Sequence, residues 1–314
     1  MIAIFGAAGF IGAYLVDALA EQGMDVYPVD NDKTVPSNYC FDLVDIRDRA
    51  SLAVLPWHEV TAVVNLASLQ PANDDGTAVL ADYIMVNTVG LCNILEQCRI
   101  HGIKKVVHCT SAKPMSPLGE YATLTISEHA AKQCMTYYAW RYDMDAQVLG
   151  LAPVYGYGPH LEIFRLGEPY KTGFATFIEK ARAGEPIEVW GDCDTKRQIS
   201  YIKDAVSAII AALNTKMQPG YYDVPGVYSS LREEAEIIAR LFSQNGRISQ
   251  IVPRPEIPND ISDWSTKPGL FGSVFGWQPQ YDFEAMCRDF IEEERRGRYK
   301  WLVDKRRRMI EGKG

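Results

Sequence analysis

The sequence predicts an α/β fold in which a doubly wound parallel sheet is joined to a smaller mixed C-terminal lobe. In the first half, short runs rich in Val, Ile and Leu alternate with longer helix-like stretches, an order that favours a parallel sheet with helices on both faces. A glycine run follows the first apolar run directly, and after residue 155 the alternation loosens as Gly and Pro become frequent. We therefore expect a first domain over residues 1–155 and a substrate lobe over 156–314, with the chain crossing back between them.

The first half contains five predicted strands and three predicted helices. The strands cover residues 2–5, 25–29, 62–66, 105–109 and 147–151. Helical periodicity covers residues 11–21, 79–101 and 126–142, and shorter helices are expected at 173–183 and 230–242. Strands that alternate with helices in this way pair in parallel and are buried on both faces.

Charge and composition exclude several classes of protein. The 314 residues carry a formal net charge of −8, whereas nucleic-acid binding needs a basic face. No apolar run approaches the roughly 20 residues of a membrane-spanning helix, and the N-terminus lacks the features of a signal peptide. Seven cysteines lack CxxC spacing, which favours the reduced thiols of a cytoplasmic protein over disulfides or a metal site. We expect neither a nucleic-acid nor a membrane partner.

A GxxGxxG run lies between the first predicted strand and the first predicted helix. Glycines let the backbone approach a pyrophosphate closely, and the amides at the start of the helix then face the anion. An aspartate ends the second predicted strand, where a carboxylate accepts the ribose hydroxyls of NAD and repels the 2′-phosphate of NADP. We therefore predict a Rossmann domain that binds NAD. The cofactor residues predicted here are Gly6, Gly9, Phe10, Ile11, Gly12 and Asp30.

Several later motifs share a family pattern. Residues 45–48 (DIRD) and 65–68 (NLAS) follow predicted strands, and residues 154–159 read VYGYGP. Residues 184–192 (GEPIEVWGD) precede residues 197–204 (RQISYIKD), and GWQP lies at 276–279. Together with the glycine run, these motifs resemble the extended short-chain dehydrogenase/reductase family, which comprises NAD-dependent sugar-nucleotide epimerases and dehydratases. The resemblance covers nearly the whole chain.

The resemblance implies roles for residues in both lobes. Asp45 and Ile46 would contact the adenine, Leu66 and Ala67 would lie beside the cofactor, and Asn87 would support the active-site water network. The second lobe would bind a nucleotide sugar, and helices 79–101 and 126–142 would form a homodimer interface. Substrate contacts are assigned to Thr110, Arg197 and Arg254. An interlobe or surface salt bridge is the alternative for both arginines, although a guanidinium suits a diphosphate.

The catalytic pattern departs from that of the family, which uses a Ser or Thr, a Tyr and a Lys four residues after the Tyr. Residues 109–112 (CTSA) match the strand end that carries the hydroxyl, so Ser111 is its candidate. Counting back from residues 154–156 places the Tyr and Lys positions at Leu124 and Glu128. Leucine cannot transfer a proton, and a carboxylate cannot lower the pKa of a phenol as lysine does.

Three interpretations remain open. Tyr121, three residues before Leu124, would supply the acid–base group if the helix extends back to it. Alternatively, Glu128 itself acts as a base, with a pKa raised by burial. Otherwise Glu128 forms an ion pair with Lys132, four residues later. In the third interpretation the protein binds NAD and a sugar nucleotide without turnover, as a regulator or an inactive partner. We favour an enzyme whose catalytic residues are Ser111, Tyr121 and Glu128.

Two further features of the sequence lie outside the family pattern. A basic run at residues 305–308 (KRRR) follows acidic residues, so we expect a solvated terminal helix, with a polyanion-binding patch as the alternative. His108 lies in an apolar strand and is expected to be a hydrogen-bonded core residue. His160 follows Pro159 in a loop that faces the predicted cleft. The histidines show no metal-ligand spacing.

Overall fold

The computed structural model describes residues 1–34, 41–244, 246–259 and 270–312. The strands are β1 (Ile2–Phe5), β2 (Val26–Asp30), β3 (Asp42–Leu43), β4 (Ala62–Asn65), β5 (Lys105–Ser111), β6 (Asp145–Leu151), β7 (Val154–Tyr155), β8 (Glu162–Arg165), β9 (Glu168–Lys171), β10 (Ile187–Trp190), β11 (Lys196–Tyr201), β12 (Gly220–Val224), β13 (Val227–Ser230) and β14 (Ile251–Arg254).

The helices are α1 (Phe10–Glu21), α2 (Arg49–Ala53), α3 (Leu80–Tyr83), α4 (Leu91–His101), α5 (Ala122–Tyr142), α6 (Gly173–Ala183), α7 (Ile202–Asn214), α8 (Leu231–Phe242), α9 (Phe271–Phe275), α10 (Phe283–Arg296) and α11 (Lys300–Ile310). A π-helical segment, Ile84–Gly90, joins α3 to α4. The helix predicted over 79–101 is therefore present as consecutive helical segments, with wider π-helical turns in its middle. Within the described residues, no helix combines the length and apolarity needed to cross a bilayer.

A seven-stranded parallel sheet forms the centre of the molecule, in the order β12-β6-β5-β4-β1-β2-β3. This confirms the predicted α/β fold with a doubly wound parallel sheet. The five predicted strands are all present, and two more flank them. The short β3 and the later β12 were not predicted, because β3 has only two residues and β12 carries three polar or aromatic-polar positions. Since β12 lies at 220–224, the chain does return to the sheet after residue 155, while the domain division itself stays a prediction.

The sheet separates two apolar cores. One core lies between the sheet, α1 and α7 and continues into the smaller lobe, and the other lies between the sheet, α4 and α5. Strand β4 is buried along its whole length and β5 along most of it. Strands covered on both faces need apolar side chains on both sides, which explains their continuous Val and Ile content.

The smaller lobe is built from short strands and helices after β6. Strands β13, β11 and β7 form one sheet, β10 pairs with β14, and β8 pairs with β9 as an antiparallel hairpin. Helices α6 and α8 pack against these strands, and α10 packs against α8. The lobe stands beside the carboxyl ends of the central strands, so a cleft forms between the two.

Helix α11 departs from the expectation of a solvated terminal helix. Arg306 is only 5% exposed, and its Nη1 donates to the Ala72 carbonyl at 2.5 Å. The Lys305 ammonium forms an ion pair with Asp32. Arg307 and Arg308 remain exposed. The prediction is thus wrong for the first half of the basic run, because one face of α11 packs against the loops that follow β2 and β4.

Candidate active site

One cavity of about 1470 Å³ lies between the carboxyl ends of the central strands and the smaller lobe. Sites for a single small molecule typically occupy about 300–1000 Å³, so this cavity has room for a dinucleotide and a second ligand. Ten of its lining residues are those predicted to bind the cofactor: Gly6, Gly9, Phe10, Ile11, Gly12, Asp30, Asp45, Ile46, Leu66 and Ala67.

The glycine turn is a close-approach structure. Gly6 has a φ of 81°, and a Cβ there would lie 2.6 Å from the Ala67 amide nitrogen. A Cβ on Gly12 would lie 2.1 Å from the Gly6 carbonyl oxygen. Helix α1 starts at Phe10, and its N-cap, Gly9, has no side chain to accept the first amides. These amides line the cavity, so the helix start can bind an anionic group such as a diphosphate.

The Asp30 carboxylate is fixed at the end of β2. Its Oδ2 accepts a hydrogen bond from the Ala8 amide at 2.8 Å, and its Oδ1 accepts one from the Asp32 amide at 3.0 Å. Each oxygen keeps further lone pairs, which suit two adjacent ribose hydroxyls. The same charge disfavours a 2′-phosphate, so these residues fit NAD.

The loops after β3 and β4 complete this half of the cavity. Arg47 forms an ion pair with Asp45 at 2.6 Å, and its hydrogen bonds hold the pKa of that carboxyl below its usual range. The Asn65 side chain contacts His108 Nδ1 at 3.2 Å and accepts from the Ala67 amide at 3.3 Å. His108 is buried, as expected for a hydrogen-bonded core residue, and burial lowers its pKa to about 4.

Asn87 lies in the π-helical segment and ties the loop after β4 to α5. Its Oδ1 accepts from the Leu69 amide at 2.6 Å, and its Nδ2 donates to the Ser127 hydroxyl at 3.0 Å. Widened turns of this type are frequent at functional sites because they redirect side chains. Asn87 therefore braces the cavity wall next to the predicted catalytic residues.

Ser111 and Glu128 form a direct pair. The Ser111 hydroxyl donates to Glu128 Oε2 at 2.5 Å, and the Ser111 amide donates to Oε1 at 3.0 Å. Ser111 lines the cavity, whereas Glu128 is 4% exposed and lies behind it. The ion pair expected between Glu128 and Lys132 is wrong, since the Lys132 ammonium lies 4.3 Å from the centre of the Tyr221 ring. The backbone amide of Ser111 attracts the carboxylate toward the strand end instead.

Tyr121 immediately precedes α5, which starts at Ala122, so the helix extends back almost to the position required for the first interpretation. Tyr121 and Leu124 both line the cavity. The Lys113 ammonium lies 3.4 Å from the centre of the Tyr121 ring. Tyr121 therefore belongs to the same wall as Ser111.

Of the predicted substrate residues, Thr110 and Arg197 line the cavity. The Thr110 hydroxyl is buried and has no hydrogen-bond partner within the part of the chain that is described. Arg197 donates to Glu234 at 2.8 Å and lies over the Tyr155 ring. Burial raises the pKa of Glu234 to about 7, against the opposing effect of Arg197. Arg197 therefore combines a salt bridge with a position on the cavity wall.

Arg254 is placed differently. It ends β14, is partly exposed and pairs with Glu256 at 3.0 Å. It is not one of the residues that line the cavity as described. This arrangement agrees with the salt bridge that is the alternative to a substrate contact for Arg254.

Sequence reasoning missed the contribution of α11 to the cavity. Lys305, Arg306 and Arg308 all line it. The signal in the sequence is the basic run at 305–308, for which a polyanion-binding patch is only the alternative to a solvated helix. His160, expected in a loop that faces the cleft, also lines the cavity, and its ring packs edge-on against Phe10 at 5.0 Å. No group of three or more potential metal ligands occurs among the described residues.

Comparisons with known proteins agree with this geometry. The sequence model of the NAD dependent epimerase/dehydratase family matches residues 2–224. A putative UDP-glucose 4-epimerase of Methanocaldococcus jannaschii is 26% identical over 306 residues, covering 90% of this chain and 95% of that protein. The UDP-glucose 4-epimerase of Mycolicibacterium smegmatis is 27% identical over 308 residues, covering 88% of this chain and 93% of that protein.

Another relative is named for a different activity. A UDP-N-acetyl-alpha-D-glucosaminuronate decarboxylase of Bacillus cytotoxicus is 27% identical over 290 residues, covering 83% of this chain and 88% of that protein. Among solved structures, the Bordetella bronchiseptica enzyme WbmF in complex with NADH superposes with a TM-score of 0.78 at 21% identity. The match covers 100% of this chain and 97% of that one, and the same enzyme is known with NAD⁺ and UDP.

The family match covers well over half of the chain, and the glycine turn, Asp30 and the parallel sheet are the features that such a match requires. The chain therefore belongs to the NAD-dependent epimerase/dehydratase family, as an enzyme of that type with NAD as its cofactor.

Proposed function

We propose that this enzyme modifies a uridine-diphosphate sugar by oxidising one of its carbinol carbons, and that epimerisation at that carbon is the reaction. The observation that carries the proposal is the Ser111–Glu128 pair. This pair supplies the proton acceptor that is otherwise missing, because leucine stands at the position of the expected tyrosine. We assign the acid–base role to these two residues.

The substrate class is supported by the cavity and by the relatives. The cavity extends beyond the cofactor residues to Thr110 and Arg197 in the direction of the smaller lobe. Arg197 Nε is buried and has no hydrogen-bond partner in the described ranges. A guanidinium with a donor to spare suits a diphosphate oxygen. The relatives named above act on UDP-sugars, and one solved neighbour binds UDP.

Proton transfer follows from the direction of the hydrogen bonds. Because the Ser111 hydroxyl donates its proton to Glu128, its oxygen lone pairs remain available to a hydroxyl on the substrate. As the substrate carbinol is oxidised, its proton passes to Ser111 Oγ while the proton of Ser111 passes to Glu128 Oε2. The reverse transfers restore both residues when the sugar carbonyl is reduced.

NAD, when bound, accepts the hydride from the same carbon and can return it. The residues that would hold NAD are the glycine turn, Asp30, Asp45 and the backbone of Leu66 and Ala67. Reduction of the sugar carbonyl on its opposite face would give the epimer. A substrate with a carboxylate two bonds from the new carbonyl can instead lose CO₂, and its pentose product would distinguish decarboxylation from epimerisation.

We assign Tyr121 to substrate contact instead of proton transfer. Its hydroxyl is not the partner of Glu128, whose two oxygens both bond to Ser111. The Lys113 ammonium over its ring favours one orientation of the side chain and places a positive charge beside Tyr121, which lines the cavity. This charge suits an anionic substrate.

Product analysis tests the proposal. The protein would be incubated with NAD and UDP-glucose, UDP-N-acetylglucosamine, UDP-glucuronate and their 4-epimers, and the products followed by ¹H NMR. An epimer formed from one of these substrates supports the proposal, and a pentose product with CO₂ release shows decarboxylation instead. Tight NAD binding with no product from any sugar nucleotide contradicts the proposal and favours the silent homologue.

We also infer a homodimer through the face formed by residues 79–101 and α5. Large apolar side chains remain exposed there, including Met85, Tyr137 and Trp140, the last being 78% exposed. Apolar side chains of this size are depleted from free surfaces and enriched in interfaces. Light scattering of Trp140→Glu should show a monomer, while Val54→Glu, equally exposed elsewhere, should remain dimeric. A wild-type monomer contradicts the inference.

We place the protein in a reducing compartment, the cytoplasm. The six cysteines that the structure describes are all free thiols. Four of these thiols are buried. Cells would be lysed in acid, which stops thiol exchange, and the cysteines of the extracted protein would then be labelled. The labelling shows whether the cysteines are reduced in the cell, and a stable disulfide would contradict the assignment.

A further inference from the structure

Arg306 is a buried cation whose hydrogen-bond partners are neutral. Its Nη1 donates to the Ala72 carbonyl at 2.5 Å, and its Nη2 donates to the Asn73 side-chain oxygen. Its Nε is buried and has no partner among the described residues. The guanidinium is thus held in place at one end and unsatisfied at the other.

The charge of Arg306 is not compensated within the described residues. No carboxylate there forms an ion pair with it, although its neighbours on α11 are paired: Lys305 with Asp32 and Lys300 with Asp304. Burial lowers the pKa of Arg306 to about 10. An isolated buried charge is costly unless a counter-ion accompanies it in the working state of the protein.

The surroundings of Arg306 link it to the start of α1 through His160. It lines the same cavity as Gly9 and Phe10. Burial, together with the charge of Arg306, lowers the pKa of His160 to about 4, and the His160 ring packs on Phe10. Arg306 also contacts the loop that follows Leu66 and Ala67. It thus contacts the loop after β4 directly and is linked to the start of α1 through His160, and these two backbone segments border the predicted diphosphate position.

We propose that Arg306 is the counter-ion of the NAD diphosphate, so that the C-terminal helix completes the cofactor site begun by the glycine turn. The helix amides of α1 and the guanidinium of α11 then bind the diphosphate from two sides. Lys305, through its ion pair with Asp32, fixes α11 to the loop after β2. The substrate diphosphate is the other candidate anion, but Arg197, on β11 of the smaller lobe, supplies a cation for it.

The test is a comparison of ligand affinities by isothermal titration calorimetry, with the purified protein stripped of NAD. The variants are Arg306→Gln and Arg306→Lys, and Arg307→Gln, on the same helix but exposed, is the matched control. The ligands are NAD, ADP, adenosine and UDP. Loss of a hydrogen-bonded charge should weaken NAD and ADP about 10- to 100-fold in Arg306→Gln. Adenosine and UDP should bind as in wild type, and the control should match wild type throughout.

Three results would overturn the proposal. They are unchanged NAD affinity in Arg306→Gln, an equal loss for adenosine, which would mean that Arg306 only anchors α11, and a loss for UDP alone, which would assign Arg306 to the substrate. If Arg306→Gln does not fold, Arg306→Lys carries the same comparison. It keeps the charge but loses the planar fork, so a smaller selective loss for NAD and ADP is expected. These are binding measurements, so the result does not depend on whether the enzyme turns over the proposed sugars.

Discussion

The Ser111 hydroxyl donates a hydrogen bond to Glu128 Oε2 at 2.5 Å, while the Ser111 amide holds Glu128 Oε1 at 3.0 Å. The two contacts fix a buried carboxylate behind a hydroxyl that faces the cavity. Proton transfer through the hydroxyl would thus need no movement of either side chain. The position where the family resemblance expects lysine therefore holds a carboxylate, to which we assign proton uptake.

Glu128→Gln and Ser111→Ala should each lower kcat by about 10²- to 10⁴-fold, because each removes the proton acceptor pathway. The double variant should be no slower than the slower single variant, since the residues act as one unit. NAD affinity should stay within about twofold of wild type, because neither residue contacts the glycine turn. Steady-state kinetics and NAD titration provide these values. Additive losses in the double variant would show two independent roles.

Tyr121→Phe should leave kcat within about threefold of wild type and raise KM, as expected for a residue that only contacts substrate. Lys113→Met should act in the same direction, because it removes the charge above the ring. The same kinetic assay provides both values. A fall of kcat by about 10²-fold or more in Tyr121→Phe would transfer the acid–base role to Tyr121.

Asp30→Asn should lower the preference for NAD over NADP. The amide oxygen can still accept from Ala8, so the glycine turn is kept, but the negative charge that repels a 2′-phosphate is lost. The dissociation constant for NADPH divided by that for NADH should fall about 10-fold or more, since a charged hydrogen bond is worth about 1.5–3 kcal/mol. Fluorescence titration with NADH and NADPH measures the ratio. An unchanged ratio would remove Asp30 from the ribose site.

Arg197→Gln should weaken UDP about 10- to 100-fold, by loss of a charged hydrogen bond to the diphosphate. The fold should survive because burial already raises the pKa of Glu234 to about 7, so that this residue can be neutral without its partner. Arg254→Gln is the comparison, since Arg254 pairs with Glu256 away from the cavity lining. Calorimetry with UDP measures both. A greater loss in Arg254→Gln would restore the role that the family resemblance gives it.

Acid should destabilise the protein partly through His108. Burial lowers the pKa of His108 from 6.5 to about 4, so between these values the unfolded chain binds a proton that the native protein does not. The free energy of unfolding therefore falls as the pH drops from about 6.5 to about 4, by up to about 3 kcal/mol from this group. Urea unfolding at a series of pH values should show a shallower fall in His108→Gln. The exposed His58→Gln should keep the wild-type slope, and equal slopes for all three proteins would contradict this assignment.

Much of the cofactor half of the site was predictable from the sequence, because its determinants are local. A glycine run between a strand and a helix, and an aspartate at the next strand end, are fixed by short segments. The structure places Gly6, Gly12 and Asp30 in the lining of one cavity, and their contact with NAD stays a prediction.

The other parts of the site depend on contacts between distant segments. Nothing within a helical turn of Glu128 indicates that it turns to Ser111 instead of Lys132. Its partner lies on a strand end 17 residues earlier. Arg306 lies more than 230 residues from its partner Ala72, so tertiary packing buries one arginine of a basic run that local criteria predict to be solvated. A two-residue strand such as β3 is too short to show a sequence pattern. Only its pairing with a neighbouring strand of the sheet identifies it.

The most direct measurement is ¹H NMR of UDP-sugar conversion by wild type and Glu128→Gln, both loaded with NAD and shown to be folded. The account predicts that wild type interconverts one pair of 4-epimeric UDP-sugars and that Glu128→Gln does so about 10²-fold more slowly or worse. Conversion at the wild-type rate by Glu128→Gln would contradict the central role given to the Ser111–Glu128 pair.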